Sequence, residues 1–129
     1  MSFYKPEGYN ALSPYLVVEN AGKLVELLQS IFGARELRRY ETDEGRIMHV
    51  EVRIDDTVVM LADATAGYSS RQQMLHVYVE DADLTFGRAL AQGCEPLQEP
   101  KRSEGDLDKR GGFRDFAGNE WWIATQQED

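Results

Sequence analysis

The stretch 109–125, near the end of the chain, has two runs of strand-forming residues on either side of a polar, glycine-containing segment. Residues 115–119 predict a tight turn, because Gly118 and Asn119 tolerate a positive φ between two runs of strand-forming residues. Successive side chains of a strand point to opposite faces. The last strand therefore carries Glu120, Trp122 and Ala124 on one face and Trp121 and Ile123 on the other. A carboxylate and an indole on a shared face indicate a candidate site.

The first half of the chain has the pattern of one helix and four strands. The helix is predicted to begin after Asn20, a favourable N-cap residue, and to end at Gly33. Apolar residues recur between them at helical spacing, at Leu24, Val25, Leu28, Ile31 and Phe32. Strands are predicted at 11–18, 36–42, 46–54 and 57–63. The predicted order is β-α-β-β-β.

The second half repeats this order after a polar stretch at 64–71 that has the composition of a linker. A strand is predicted at 73–79, and Asp81 is expected to cap a helix that runs to about residue 92. Gly93 ends that helix, and a weak, proline-marked strand follows at 95–101. The closing hairpin supplies the last two strands.

The two halves also share residues. The tetrapeptide VENA at 18–21 returns as VEDA at 79–82, and MLA at 60–62 is matched by WIA at 122–124. A fixed internal period of supersecondary units predicts a structural repeat. We therefore expect one domain, 1–129, built from module one at about 11–63, the linker 64–71 and module two at about 72–126.

Composition narrows the class of protein. The chain has 129 residues, 42% of them hydrophobic, which is typical of a single globular domain with a real core. A net charge of -9 argues against a nucleic-acid partner, which calls for a basic surface. No run approaches the roughly 20 apolar residues of a membrane span, and residues 1–10 lack the apolar segment of a signal peptide. We expect a cytoplasmic protein without a membrane partner, in which the single cysteine, Cys94, is a structural thiol.

Several motifs together resemble one family. They are LSPYLVV at 12–18, FGA at 32–34, MHVEVRI at 48–54, VMLAD at 59–63, HVYVED at 76–81, and RDFAG at 114–118 with Trp121 and Trp122. The chain resembles the glyoxalase, bleomycin-resistance and extradiol dioxygenase superfamily, also called vicinal oxygen chelate proteins, and within it the PhnB-like subgroup. This resemblance implies an α+β fold, in which two βαβββ modules form a curved mixed sheet with an enclosed cleft, usually within a homodimer.

The resemblance also bears on metal binding. Metal-dependent members of the superfamily place one ligand, typically His, Gln or Glu, on the first and the last strand of each module. The matching positions in this chain hold Ser13, Met60, Met74 and Trp122. None of these is an ordinary ligand for a divalent ion of this kind, so we expect neither a tightly bound metal nor another cofactor.

Strand alternation nevertheless collects candidate ligand-binding residues on one face of each module. They are Tyr15, His49, Glu51, Met60, Met74, His76, Tyr78, Glu120 and Trp122. The methionines favour an apolar, adaptable lining. Each histidine is open to a structural hydrogen-bonding role, to ligand contact or to proton transfer. A displaced metal site built from His49, Glu51, His76 and Glu120 is a further alternative.

The sequence therefore predicts a protein that binds a small organic molecule. The expected ligand is a neutral or cationic aromatic compound, stacked on Trp122 and Tyr78, with Glu120 as charge partner and apolar contacts to Met60 and Met74. The alternative is a lyase, isomerase or dioxygenase that uses a displaced metal or the acid-base groups His49, His76 and Glu120. A third alternative is a pure interaction subunit, whose own side chains would fill the cleft. Catalytic residues are not assigned.

Overall fold

The computed structural model describes residues 4–127, and the chain divides into two compact units between Arg71 and Gln72. The division falls at the end of the predicted linker, and the two units are described separately below. Residues 1–3 of the predicted N-terminal segment, and 128–129 at the end of the predicted domain, lie outside the described residues.

The first unit contains four strands and one helix. They are β1 (Tyr15–Val18), α1 (Ala21–Phe32), β2 (Arg35–Glu41), β3 (Ile47–Ile54) and β4 (Thr57–Asp63). The sheet order is β1-β4-β3-β2, with β1 parallel to β4 and the other pairs antiparallel. β1 begins four residues later than predicted. Pro14, directly before it, has no N–H to donate to a sheet, although its carbonyl still accepts from the Met60 amide at 2.9 Å.

The ends of α1 follow the sequence signals. The Asn20 side chain accepts a hydrogen bond from the Lys23 amide at 3.1 Å, and Gly33 ends the helix with a left-handed φ of 68°. The Asp63 carboxylate adds an anchor that the sequence did not reveal. It accepts from the amides of Ala21 and Ile47, both at 2.8 Å, and so joins the start of the helix to β3 and β4.

The second unit repeats the arrangement. Its elements are β5 (Met74–Tyr78), α2 (Ala82–Ala91), β6 (Glu95–Arg102), β7 (Asp108–Arg114) and β8 (Glu120–Gln126), with the sheet order β5-β8-β7-β6. β5 and β8 are parallel. Asp81 caps α2 by accepting from the Leu84 amide at 3.1 Å. The proline-marked strand β6 lies at a sheet edge, where a missing N–H is tolerated.

The turn at 115–119 is built around the buried Asp115. The Gly118 amide donates to the Asp115 carbonyl at 3.0 Å, and Gly118 has a φ of 89°, which favours glycine. The Asp115 carboxylate accepts from the indole N–H of Trp121 at 2.8 Å and from the Asn119 side chain at 3.1 Å. The buried Asp115 carboxylate therefore fixes the start of the last strand, and the Asn119 side chain accepts from the Gln73 amide at 2.8 Å and so ties the turn to the segment before β5.

The predicted α+β fold class is confirmed, with one mixed four-stranded sheet and one helix in each βαβββ unit. Burial agrees with the assignment of faces for four residues of β8, since Trp121 and Ile123 are buried while Glu120 and Trp122 are partly exposed, whereas Ala124, predicted on the face of Glu120, is fully buried. Cys94 is buried, and burial raises the pKa of its thiol to about 11. Among residues 4–127, no helix combines the length and the apolar character needed to cross a membrane.

Candidate functional site

In each unit, the predicted site residues lie on the sheet face that points away from the helix, which we call the distal face. In the first unit, the helix side of the sheet carries fully buried apolar residues such as Leu16, Val50 and Leu61. The alternate positions Tyr15, Glu51 and Met60 are in register with one another across β1, β4 and β3. Together with His49 they form the distal face of module one.

Three of these side chains form one chain of hydrogen bonds. The Tyr15 hydroxyl lies 3.0 Å from Nδ1 of His49, and Nε2 of His49 lies 2.8 Å from Oε2 of Glu51. Tyr9, in the segment before β1, donates its hydroxyl proton to the other oxygen of Glu51. The Nε atom of Arg38 on β2 lies 3.9 Å from that same oxygen. Side chains from β2, from β3 and from the N-terminal segment therefore meet at the Glu51 carboxylate.

Glu51 is only 4% exposed and remains an anion. Burial acts to raise the pKa of this carboxyl, but the hydrogen bonds from Tyr9 and His49 outweigh burial and hold the pKa below its usual value. A carboxylate only accepts hydrogen bonds, so Nε2 of His49 carries a proton. In the neutral imidazole, Nδ1 then has a free lone pair and accepts the hydroxyl proton of Tyr15.

The Tyr15 hydroxyl, at the outer end of this series of hydrogen bonds, stays protonated at neutral pH. Burial and the negative charge of Glu51 raise the pKa of Tyr15, and Tyr68 adds to the effect. The Tyr15 and Tyr40 rings flank the imidazole, with centroids 5.6 and 6.1 Å from that of His49. His49 is therefore held between two aromatic rings and one carboxylate.

The distal face of module two is organised around Trp122. A Cβ atom placed on Gly112 would lie 2.6 Å from the indole ring, so the ring rests directly on the glycine backbone. The indole N–H of Trp122 donates to Oε1 of Glu120 at 3.2 Å. Met74, which is in register with Glu120, is exposed beside them. This arrangement presents a flat aromatic surface next to a flexible apolar side chain.

Glu120 has a second partner that the sequence did not assign to it. Its Oε2 atom lies 3.2 Å from the guanidinium of Arg114, which also binds Glu95 at 3.0 Å. The hydrogen bonds that Arg114 donates to Glu95 and to Glu120 raise the pKa of its guanidinium. The negative charge of Glu120 is therefore already compensated within the unit.

His76 and Tyr78 belong to a polar network that continues along β7. Nε2 of His76 lies 2.8 Å from the guanidinium of Arg110, which is always a donor, so Nε2 accepts and the ring proton sits on Nδ1. The Tyr78 hydroxyl donates to Asp108 at 2.6 Å, and this hydrogen bond raises the pKa of Tyr78. Arg110 is paired with Asp108 at 2.9 Å and with Asp106 at 2.8 Å.

All nine predicted site residues lie on β1, β3, β4, β5 or β8, four in the first unit and five in the second. The sequence did not identify the groups that organise them, namely Tyr9, Arg38, Asp108, Arg110 and Gly112. The adjacent glycines Gly111 and Gly112 within a predicted strand were a usable signal, because a glycine in a strand often marks a close approach of another group.

The metal positions implied by the resemblance do not suit a divalent ion. Met60, Met74 and Trp122 lie on the strands expected, and Ser13 precedes β1. None of the four has the imidazole, amide or carboxylate group that such a site needs. Among residues 4–127, no three His, Cys, Asp or Glu side chains are grouped so that they could hold a metal ion.

A family model matches this chain over residues 10–123. The chain belongs to the Glyoxalase/Bleomycin resistance protein/Dioxygenase superfamily. The resemblance noted from the motifs is thereby confirmed. An uncharacterized protein of Mycobacterium bovis is 33% identical in an alignment 95 residues long, and the match covers 65% of this chain and 62% of that relative. The chain thus spans about six tenths of the length of the curated relatives it matches.

Solved structures share the fold. TioX from Micromonospora sp. ML1 is 21% identical with a TM-score of 0.75, and the match covers 92% of this chain and 99% of TioX. The PhnB protein from Bacillus cereus is 19% identical with a TM-score of 0.72, covering 90% and 99%. The fosfomycin resistance protein FosX from Listeria monocytogenes, complexed with Mn(II) and sulfate, is 18% identical with a TM-score of 0.71, covering 92% and 90%. At these identities, the likeness concerns the fold alone.

Proposed function

We propose that this chain binds a neutral aromatic compound on the distal face of module two, without a tightly held metal, as a sequestering protein. The observation that carries the proposal is the position of the Trp122 ring on Gly112. A ring held against backbone on one side and tied to Glu120 at its N–H is already oriented for stacking. Membership of a superfamily that includes bleomycin resistance proteins supports a small-molecule ligand.

The charge environment favours the neutral ligand over the cationic one, the two ligand types that the sequence predicted. A cationic ligand would have to displace Arg114 from Glu120 in order to use that carboxylate. The net charge of -9 repels anions over the whole surface. A neutral ring system avoids both costs, and its apolar surface is matched by Trp122 and Met74.

The size of the ligand follows from its energetics. A micromolar complex requires about 8 kcal/mol, and aromatic stacking contributes only about 0.5–1.5 kcal/mol beyond the burial of area. At about 25 cal/mol per Å², burial of roughly 260–300 Å² of apolar surface is needed for the remainder. The ligand is therefore a fused or multiple ring system rather than a single small ring.

The test uses the two tryptophans of the chain as matched reporters. In Trp121→Phe, Trp122 is the only tryptophan, and titration with neutral polycyclic compounds should quench or shift its emission. In Trp122→Phe, the remaining Trp121 is buried, and the same titration should leave its emission unchanged. Binding measured by calorimetry should weaken at least about tenfold in Trp122→Ala. Equal responses from both single-tryptophan proteins would place the ligand elsewhere and refute the proposal.

The enzyme alternative, a lyase, isomerase or dioxygenase, has two forms, one that depends on a bound metal and one that uses acid-base groups without metal. The metal-dependent form predicts one equivalent of bound metal, whereas the proposal predicts well below one equivalent of zinc, nickel, iron or manganese. Elemental analysis of protein purified without chelators decides between them. Stoichiometric metal that is lost in the His49→Ala and His76→Ala double variant would overturn the metal-free proposal. The form of the enzyme that uses acid-base groups without metal is favoured by one observation, the hydrogen bond between His49 and Glu51.

We also expect the protein to form a homodimer, as the resemblance to the superfamily suggests. Each sheet leaves two edge strands, β1 and β2 in the first unit and β5 and β6 in the second. Edge strands are prone to pair with other chains unless they are covered or charged. Light scattering at micromolar concentration should give twice the chain mass, and a monomer would contradict the expectation.

A further inference from the structure

The Tyr15, His49 and Glu51 side chains have the relative geometry of a nucleophile, a base and an orienting acid. A hydroxyl lies 3.0 Å from one nitrogen of the imidazole, and a carboxylate lies 2.8 Å from the other. From this arrangement we infer that Tyr15 is a base-activated nucleophile that accepts acyl groups from activated esters. The inference concerns module one alone and does not depend on ligand binding at Trp122.

The hydrogen-bond directions needed for such a triad are fixed by Glu51. Both of its oxygens accept, one from Tyr9 and the other from Nε2 of His49. The proton on Nε2 leaves Nδ1 as the acceptor that faces Tyr15. A nucleophile within hydrogen-bond reach of a base, with the base oriented by a third group, is the general signature of nucleophilic catalysis.

The charged group that contacts the His49 imidazole is the Glu51 carboxylate, at 2.8 Å. Tyr15 from β1, Tyr40 from β2 and Glu51 from β3 contact the His49 side chain. Arg38 from β2 and Tyr9 from the N-terminal segment contact Glu51, and Tyr68 from the segment after β4 acts on Tyr15. Of the charged groups among these, Glu51 is in direct contact with the imidazole and Arg38 is directed at the opposite oxygen of that carboxylate. The nearest charge to an imidazolium at this position is therefore negative.

The acyl transfer needs no cofactor, because every bond, electron pair and proton in it is supplied by Tyr15, His49 and the ester. As the Tyr15 oxygen forms a bond to the acyl carbon, its proton passes to Nδ1 of His49. The bond between the acyl carbon and the oxygen of the leaving group breaks, and that oxygen departs with the electron pair as an aryl oxide. His49, now an imidazolium hydrogen-bonded to Glu51, returns its proton to the aryl oxide or to water. The products are O-acyl-Tyr15 and a phenol.

The same geometry limits the substrates. The hydrogen-bond chain activates the attacking atom but contributes nothing to the oxyanion that develops on the acyl group. Acyl donors must therefore carry a leaving group of low pKa that departs without assistance, such as a nitrophenyl ester. The flanking rings of Tyr15 and Tyr40 also favour an aromatic leaving group.

The experiment uses 4-nitrophenyl acetate as the probe and the wild-type chain as its own control. After brief exposure, peptide mapping by mass spectrometry gives the rate of acetylation at each tyrosine. Tyr4 and Tyr68 are 77% and 74% exposed, against 44% for Tyr15, so exposure alone predicts that Tyr15 reacts more slowly. We expect Tyr15 to react about tenfold faster or more, a modest part of the roughly 10²–10⁴-fold that positioned acid–base catalysis contributes. Equal or slower acetylation of Tyr15 overturns the inference.

Variants then separate activation from accessibility. His49→Gln and Glu51→Gln should each reduce Tyr15 acetylation to the rate of Tyr4, while acetylation of Tyr4 itself is unchanged. Glu19→Gln makes the same change as Glu51→Gln at an exposed carboxylate outside the hydrogen-bond chain, and should leave the rate at Tyr15 as it is. Selectivity for Tyr15 that persists in His49→Gln would show that the base is not required and would also refute the inference. The comparison of acetylation rates between tyrosines uses only the wild-type chain, so it tests the inference even if a variant fails to fold.

Discussion

The two modules place different chemistry at matching positions of the same sheet. In module one, Tyr15, Met60 and Glu51 are in register across β1, β4 and β3. In module two, the corresponding row across β5, β8 and β7 is His76, Trp122 and Gly112. The next residue of this face on the third strand is His49 in module one and Arg110 in module two.

Both modules have a hydrogen bond between side chains of the first and third strands, but the residue beside this hydrogen bond on the third strand differs. The first strand is joined to the third by Tyr15 and His49 at 3.0 Å in module one, and by His76 and Arg110 at 2.8 Å in module two. Beside this bond, module one has the buried Glu51, which orients the histidine. Module two has Gly112, which leaves room for an indole to lie flat. The residue at the centre of the third strand thus determines whether the distal face carries a proton relay or an aromatic surface.

The largest expected effect comes from removing the carboxylate of module one. Glu51→Ala leaves the hydroxyl of Tyr9 and an N–H of His49 without their acceptor, and both groups are held in place around it. Breaking a buried ionic hydrogen-bond network costs about 3–5 kcal/mol. Urea unfolding at neutral pH should show a loss of about 3 kcal/mol. A loss below about 1 kcal/mol would mean that water replaces the carboxylate easily.

The same carboxylate makes the stability of the protein depend on pH in a stated direction. The folded-state pKa of Glu51 lies below its usual value, since the hydrogen bonds from Tyr9 and His49 outweigh burial. Its contribution is therefore complete above the ordinary carboxyl pKa of about 4.3, and is lost as pH falls through the lowered folded-state pKa. Unfolding curves of wild type and Glu51→Gln should differ most near neutral pH and converge in acid. A gap that widens on acidification would contradict this sign.

A smaller effect is expected from filling the space in module two. A methyl group at Gly112 would meet the Trp122 ring at 2.6–2.8 Å, so Gly112→Ala must displace the indole. Overpacking of this kind costs about 1–3 kcal/mol. In a Trp122→Ala background, the same substitution should cost close to nothing. A double-mutant cycle by thermal or urea unfolding measures the coupling, and additive costs would show that the ring does not rest on Gly112.

The smallest effect is expected at Arg110, the partner of His76. Arg110→Gln breaks ion pairs with Asp106 and Asp108 that are partly open to solvent, and such pairs contribute little to stability. The unfolding midpoint should move less than for Gly112→Ala, and the difference from wild type should shrink as salt is added. A change as large as that of Glu51→Ala, or one that ignores salt, would show that the two networks are equally buried.

Sequence reasoning recovered the order of the elements because the signals for it are local. Asn20, Gly33 and Asp81 act within one turn of the helix ends that they mark, and the alternation on β8 depends only on neighbouring residues. The two ends of each helix and the turn at 115–119 were therefore predicted to within a few residues. The start of β1 was misplaced because the effect of Pro14 on pairing was not taken into account.

The candidate site was predicted only as a set of residues on a shared face. Alternation places His49 and Glu51 on one side of β3. It does not reveal that the Tyr9 hydroxyl reaches the Glu51 carboxylate, because Tyr9 and Glu51 are 42 positions apart in the sequence. The pairing of Glu120 with Arg114 depends on the register of β7 and β8, which the turn sets. Side-chain partners across strands follow from register and from reach, and neither is a property of a single segment.

Each sheet is completed by parallel pairing of its own first and last strands, β1 with β4 and β5 with β8. Among residues 4–127, every strand pair lies within one sheet, so the first sheet has all of its strands once residues up to Asp63 have emerged from the ribosome. The strands that await partners during translation are thereby those of one module at a time, which reduces the opportunity for aggregation between nascent chains through exposed strand edges.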